Sequence, residues 1–450
     1  MLTQEINILL DTLRRLNRRG AAANLRKILL KTHPADLATI FRYFTEQERR
    51  ELFPLIIDKH HAAEVLSEMD DSLRVELINQ LTREQVIELF SEMATDDLAD
   101  VLGLLPDELS DEIVTLMEPE STEELESILG YPEDTAGGIM IPESFALHEE
   151  TTVAEAIEIL QHSEHSEMVF YVYIVDDDKH LKGVCSLRQL LLVPPQTRLN
   201  ELMTTQVVTV LPETDQEEVA RLVGRYNILA IPVVDQDNHL LGIVTVDDII
   251  DVIREEATED FLQMAGAGRD REILLKSTFE ESKLRFPWLF ATWVGGIIAS
   301  IIVGSFADIR QRVLALAAFM PIIIGMGGNI GTQSATIVIR GLATGRVNIR
   351  EAWKVIFKEI RVGLMLGVSY GIALAILVNL LYQSSGIMVG LVVGMGICAV
   401  MIISTLVGTF APILLDRLNI DPAIATGPFV TTSIDILGLL VYFTIAVLLL

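Results

Sequence analysis

The chemistry this sequence offers is carried mostly by carboxylates. Asp435 ends the segment GPFVTTSID (427–435) and is the one charge in the 29 residues from Pro422 to Leu450. A charged side chain near mid-membrane costs about 2.5–3.5 kcal/mol on insertion scales, so Asp435 either faces a path for cations or pairs with a polar group of a neighbouring span. The proline at 428 is expected to free a backbone carbonyl beside it. A second polar segment, GMGGNIGTQSAT (325–336), places glycines and Asn329, Thr332, Gln333, Ser334 and Thr336 inside an apolar run. It is expected either to interrupt its span and line water or to form a packing face of small residues.

A different set of acids lies upstream. In VDDIIDVIREEATED (246–260), Asp248, Asp251 and Glu255 recur at three and four residues and share a helical face. Glu256, Glu259 and Asp260 continue the negative stripe. Like charges at that spacing repel, and a helix so loaded beside another acidic domain packs poorly unless cations intervene. Oxygen ligands without thiolate or clustered imidazole select Mg²⁺ or Ca²⁺ over zinc. Glu64, Asp96, Asp97 and Asp100 belong to a separate helical stretch and read equally as an ordinary solvated face. His162 and His165 lack further ligands and read as surface residues.

The chain has 450 residues, is half hydrophobic, and carries a formal charge of −29. That charge is divided unevenly. Residues 287–450 hold six acidic and nine basic residues, whereas the first 286 hold 57 acidic and 25 basic. An acidic soluble half is joined to an apolar, slightly basic half. A −32 surface repels phosphate, which excludes a nucleic-acid binder. Cys185 and Cys398 fall in different halves, which excludes a disulfide framework and a cysteine zinc site. MLTQEINILL has no positive region before its apolar stretch and reads as no signal peptide, so the soluble half is expected in the cytoplasm.

Uncharged runs of 22 residues (286–307), 27 (313–339) and 54 (362–415, broken at Gln383-Ser384-Ser385-Gly386), with the last segment, predict five membrane helices. With the N-terminus inside, the inner flanks hold twelve basic residues, among them Arg269, Arg271, Arg340 and Arg417, and the outer loops hold only Arg310 and Arg312. The positive-inside rule then puts the C-terminus outside. REAWKVIFKEIR (350–361) suits an amphipathic helix on the inner surface.

Two internal repeats organise the soluble half. YIVDDDKHLKGVCSLRQLL (173–191) aligns with PVVDQDNHLLGIVTVDDII (232–250) at an offset of 59, sharing Asp176/Asp235, Asp178/Asp237, His180/His239 and Gly183/Gly242. Each copy reads helix, strand, turn, strand, helix, and the pair is similar to the tandem CBS module of small-ligand and ion sensors. Segments 38–56, 63–81 and 99–117 align without gaps, sharing Ala38/Ala63/Ala99 and Glu51/Glu76/Glu112 with helical periodicity. Stacked helix pairs of that kind make a small solenoid.

Together, the acidic helical repeat, the CBS pair, GGNIGTQS and the Pro…Asp fifth span resemble the MgtE family of magnesium channels and transporters over essentially the whole chain. The resemblance implies a multi-domain fold: an all-α acidic N domain (1–132), an α/β tandem CBS module (133–256), a long connecting helix (257–285) and a five-helix transmembrane pore domain (286–450). It implies a homodimer whose pore, formed by the second and fifth spans, is closed by cytosolic Mg²⁺. By motif, Asp435 becomes the pore carboxylate, with Thr431, Gly325, Gly328 and Asn329 lining the path. Glu64, Asp96, Asp100, Asp215, Glu217, Asp248, Asp251, Glu256, Glu259 and Asp421 match regulatory Mg²⁺ positions.

Two residues depart from that pattern. Asn227 stands where an acid is expected. Gln189 replaces the aspartate of the Thr-x-x-Asp nucleotide pattern that Thr245 and Asp248 keep, which puts ATP binding in doubt. The expected function is Mg²⁺ uptake across the plasma membrane, with Co²⁺, Mn²⁺ and Ni²⁺ as further cations; the alternative is an ion-coupled divalent-cation transporter with the same sensor. An enzyme is not expected, since no HExxH motif is present and a lone intramembrane Asp435 cannot form an aspartyl dyad. A sensor without transport would leave the polar second span unexplained.

Overall fold

A computed structural model describes residues 3–117, 127–142, 145–162, 170–268, 276–306, 314–347, 351–382, 387–418, 420–425 and 427–450, with 122, 125, 270 and 273. The turn expected at 383–386, His165, and Arg269, Arg271, Arg310, Arg312 and Arg350 lie outside the described residues. The chain divides into two compact units, Met1–Arg254 and Glu255–Leu450.

The first unit opens with short helices: α1 (Thr3–Arg18), α2 (Ala22–Leu29), α3 (Pro34–Phe41), α4 (Glu46–Leu52), α5 (Lys59–Ser67), α6 (Asp71–Ile78), α7 (Arg83–Phe90), α8 (Thr95–Gly103) and α9 (Asp107–Leu116). Capping boxes at Thr45/Glu48 and Thr82/Gln85 start α4 and α7. The repeated alanines, Ala38, Ala63 and Ala99, are all buried in one continuous core. Each repeated glutamate is held by a residue of an earlier helix. Asn17 donates to Glu51 at 2.8 Å, Arg49 grips Glu76 through Nε at 2.9 Å and Nη2 at 2.5 Å, and Arg83 pairs with Glu112 at 3.2 Å.

In the CBS region, β1 (Ala146–His148) lies parallel to β2 (Tyr171–Val175), which pairs antiparallel with β3 (Leu181–Ser186). After β1 comes α10 (Val153–His162), and after β3 come α11 (Leu187–Leu192) and α12 (Leu199–Leu202). The second copy has α13 (Gln216–Tyr226), antiparallel β4 (Ala230–Val234) and β5 (Leu240–Thr245), then α14 (Val246–Met264). Asn227 ends α13 in the left-handed region at φ 51°, a conformation asparagine tolerates.

Among the described residues of the second unit, five helices are long and apolar enough to cross a membrane. They are α15 (Thr278–Ser305), α16 (Leu314–Ala343), α17 (Ala352–Leu381), α18 (Ile387–Arg417) and α19 (Pro428–Leu449). α17 and α18 approach so closely that a Cβ at Gly371 would lie 2.6 Å from the carbonyl oxygen of Gly394, the small-residue packing that lipid surroundings favour.

Four expectations change. The polar segment of α16 does not interrupt the span; it is continuous helix, which keeps every backbone group hydrogen-bonded in hydrocarbon. Residues 352–361 are the first turns of α17 rather than a separate surface helix, because nothing between Glu359 and Val362 breaks the helix. Segment 257–285 is not one connecting helix: α14 ends at Met264, Gly266 and Gly268 take φ of 69° and 102°, and Ser277 caps a new helix. Pro428 occupies the first turn of α19, where its missing N–H leaves no carbonyl stranded inside the span.

The continuous α16 thus has two faces. A Cβ at Gly331 would meet Ile434 at 2.0 Å, whereas one at Gly325 or Gly328 meets nothing within 4 Å. Gly331→Leu is therefore expected to destabilise the fold by about 1–3 kcal/mol through overpacking, with Gly328→Leu close to wild type. Thermal unfolding of the purified protein in detergent checks this; equal losses in both variants would contradict the two-faced helix.

Candidate functional site

The open face of α16 carries Gly325, Gly328, Asn329, Thr332 and Thr336, spaced as one helical stripe and exposed or half-exposed within the chain. Its other face, with Gly327 and Gly331, packs on Val400, Ser404 and Ile434. Ile434, which directly precedes Asp435 on α19, packs on that second face, and Asp435 itself is half-buried. Thr431, one turn earlier on α19, turns its hydroxyl back to Gly427 O at 3.3 Å.

Asp435 is not the only carboxyl group among the membrane helices. Glu359 of α17 is 5% exposed and accepts a hydrogen bond from Ser334 Oγ of α16 at 2.9 Å, and it forms no ion pair with a described residue. The signal was available: Glu359 falls on the stripe Ala352, Ile356, Gly363, whose members are small or apolar and all buried.

The first unit gathers carboxylates from three elements. Asp96 and Asp97 begin α8; Asp247, Asp248 and Asp251 lie on α14; Glu68 follows α5. Burial raises Asp96 well above the usual aspartate range, and the charges of Asp97 and Asp248 push it further. Burial raises Asp97 too, with Asp247 and Asp251 adding to it and Ser67 and Arg74 opposing. Asp248 is pushed up to about 7, first by burial, then by Asp247 and Asp97 against the hydrogen bond from Thr245. Glu68 is raised by burial, then by Asp251 and Asp97. Asp96 Oδ1 is buried without a hydrogen-bond partner among the described residues. An orphaned carboxylate oxygen among other carboxylates fits a hard divalent cation.

The second unit has its own cluster. Asp260 is pushed up to about 6 by burial, then by Asp421, Glu256 and Glu259, with Arg340 acting the other way. Glu259 and Asp421 both accept from Gln263 Nε2 at 2.8 Å. Beside them, the end of α14 meets the start of α19: a Cβ at Gly266 would lie 3.2 Å from Pro428 Cδ.

Other expected site residues stand apart from these clusters. Glu64 faces His60 and His61 at 3.7 and 3.6 Å. Asp100 is exposed one turn beyond Asp96. Asp215 caps α13, accepting from Glu217 N at 2.9 Å. Glu68, Asp247 and Gln263 escaped the sequence reading because their partners are remote in the chain.

Asp235, Asp237 and His239 bring ligand atoms within 4.8 Å of one another. Asp235 is already engaged, accepting from Asp237 N, His239 N and His239 Nδ1. The matching Asp176 holds His180 in the same way, and the two imidazoles stack with centroids 4.3 Å apart. The shared Asp-x-Asp-x-His pattern is accounted for by turn construction.

Comparison with known proteins agrees with this architecture. Family profiles match in order: MgtE intracellular N domain (residues 32–134), CBS domain (136–195 and 199–255) and divalent cation transporter (320–445). The chain is 37% identical to the magnesium transporter MgtE of Thermus thermophilus over 438 residues, covering 96% of each, and 36% identical to that of Bacillus subtilis over 433 residues, covering 96% of this chain and 95% of the relative. The chain belongs to the MgtE family of magnesium transporters. Among solved structures, it resembles the cytosolic domain of the Mg²⁺ channel MgtE in complex with ATP (TM-score 0.52, 37% identity, 54% of this chain and 99% of that one). It also resembles the soluble part of a magnesium transporter (TM-score 0.52, 30% identity, 56% and 99%). MgtE proteins are a transport family, not enzymes, and this member joins a CBS pair to five candidate membrane helices.

A carboxylate raised toward neutrality must shed its proton before it can ligate a metal. Were Mg²⁺ ligated at Asp248 and Asp260, raised to about 7 and about 6, its binding would be acid-sensitive: apparent Mg²⁺ affinity is expected to fall as pH drops from 8 to 6. Titrating Mg²⁺-dependent protease protection of the full-length protein across that range measures it. A pH-independent midpoint would contradict a role for these groups.

Proposed function

We propose that this MgtE protein is a Mg²⁺-selective uptake channel of the plasma membrane, closed when cytosolic Mg²⁺ binds its acidic soluble domains. The observation that carries the reading is a half-buried carboxylate, Asp435, on α19, a helix that packs against the same α16 whose other side is an open polar stripe. Mg²⁺ sheds water reluctantly and is commonly held by one or two carboxylates with waters retained. Two copies of Asp435 about a two-fold axis, with Thr431, Gly325, Gly328 and Asn329 nearby, supply that outer-shell arrangement, so the working unit is a homodimer. The basic-residue bias supports a cytoplasmic N-terminus and an external C-terminus. Membrane potential contributes about 2.3 kcal/mol per charge per 100 mV. A divalent ion gains double that and needs no coupling ion. Co²⁺, Mn²⁺ and Ni²⁺ share the charge and are further candidate cargo.

Inward drive without coupling requires a brake. Asp96 and Asp97 facing Asp247, Asp248 and Asp251 repel until a cation bridges them, and binding selective for the closed-up form shifts the equilibrium by mass action. The domains proposed for this division of labour are 1–132, 133–256 and 286–450, with 257–285 joining sensor and pore. A relative's cytosolic domain was solved with ATP. In this chain Thr245 donates to Asp248 in the second repeat, while Ser186 and Gln189 of the first form a capping box for α11. The Thr-x-x-Asp pair is thus confined to one repeat, and that repeat's aspartate also belongs to the acidic cluster.

Asp435→Ala is expected to abolish Mg²⁺ flux in proteoliposomes with folding retained, and Gly328→Leu to block it by filling the open side of α16. Normal flux in Asp435→Ala would remove the pore assignment. A reversal potential following the Mg²⁺ gradient alone distinguishes a channel from a coupled transporter.

Gating has a separate test. Asp248→Asn with Asp251→Asn is expected to leave conductance high at internal Mg²⁺ concentrations that close the wild type. Unaltered closure in patch recordings of the double variant would make this acidic surface a solvated face.

A further inference from the structure

Gln263, in the last turn of α14, has no solvent exposure. Its Nε2 donates to Glu259 Oε1, four residues earlier, and to Asp421 Oδ2, 158 residues later, both at 2.8 Å. Its Oε1 is buried and accepts no hydrogen bond from a described residue. Asp421 is held from the other side, since Oδ1 accepts from Ala423 N at 2.8 Å. Two carboxylates from distant parts of the chain are therefore fixed side by side through one neutral amide.

We propose that Gln263 is the positioning residue of a divalent-cation site formed by Glu259 and Asp421, setting that site's affinity for Mg²⁺. The inference rests on the regulatory reading of the Glu256, Glu259, Asp260 and Asp421 cluster. Three facts carry it. The amide sits between acids that would otherwise separate by repulsion, and each N–H···O⁻ bond holds one carboxylate in a defined rotamer. Full burial fixes the amide itself, so the arrangement is in place before the ion arrives. Finally, a buried acceptor left unpaired is disfavoured by about 1–3 kcal/mol, and a water retained by hydrated Mg²⁺ supplies the missing donor. Gln263 thereby combines an outer-shell hold on two ligand carboxylates with an acceptor for the ion's own water.

The test uses the full-length protein in detergent, with Mg²⁺ alone as probe and Mg²⁺-dependent protease protection as readout. Hydrogen bonds to ligating carboxylates typically contribute 10–100-fold to metal affinity. Gln263→Met, similar in size but without a donor, is expected to raise the protecting Mg²⁺ concentration by about 10–100-fold. Gln263→His, which keeps an N–H donor, recovers most of that shift. In an Asp421→Asn background the Gln263→Met shift is expected to collapse, because the two residues act on one ion. Should Gln263→Met not fold, as judged by its thermal transition without Mg²⁺, the comparison of Gln263→His in the two backgrounds decides. An unchanged midpoint in Gln263→Met, or the same shift with and without Asp421, overturns the inference while leaving the cluster's regulatory role intact. Silent Asp421→Asn and Glu259→Gln variants would overturn both.

Discussion

Carboxylates crowded together in the folded chain are the constraint on which this molecule turns. Burial alone pushes Asp96, Asp248 and Asp260 upward, and in each case neighbouring acids add to the effect. Elsewhere among these helices the same residue type is handled differently: Glu48, Glu76 and Glu112 each meet an arginine of an earlier helix. The repeats are stapled by ion pairs, whereas in the clusters carboxylates lie close to one another, with Arg74 and Arg340 opposing the upward shift.

The membrane half answers another constraint, that every backbone group in hydrocarbon must find its partner within the protein. A glycine-rich, polar segment could meet it by unwinding against protein or by staying helical. α16 stays helical and divides its small residues between two tasks. Gly327 and Gly331 let α18 and α19 approach, while Gly325 and Gly328 leave an open side. Packing face and polar stripe coexist on one unbroken helix.

Features that repeat along the chain were legible before any coordinates. Five apolar runs, three helical repeats and two CBS copies depend on periodicity, and even Glu51, Glu76 and Glu112 proved to share a role. What escaped were pairings without local spacing. Glu359 was read with its charged neighbours as part of a surface helix, although its own stripe is buried. Gln263 carries no charge and meets Asp421 across 158 residues. Helix ends were misjudged where glycine or proline acted at a single position, as at Gly266 and Pro428.

The remaining step concerns how an event on α14 reaches Asp435. Within the second unit the end of α14 bears on the entry to α19: Gly266 lies against Pro428, and Gly427, the residue before α19, faces the Gln263 carbonyl, so that a Cβ there would meet it at 3.3 Å. Neither contact has room for an added methyl group without adjustment, so a shift of the α14 terminus moves the start of α19 rather than a compressible loop. Asp421 is tied to α14 through Gln263 and immediately precedes the 3-10 turn Pro422–Ala425 that leads to α19. Thr431 and Asp435 follow at one and two turns. A cation that tightened the Glu259–Asp421 pair would therefore act where the end of α14 adjoins the entry to α19, the helix that bears Asp435.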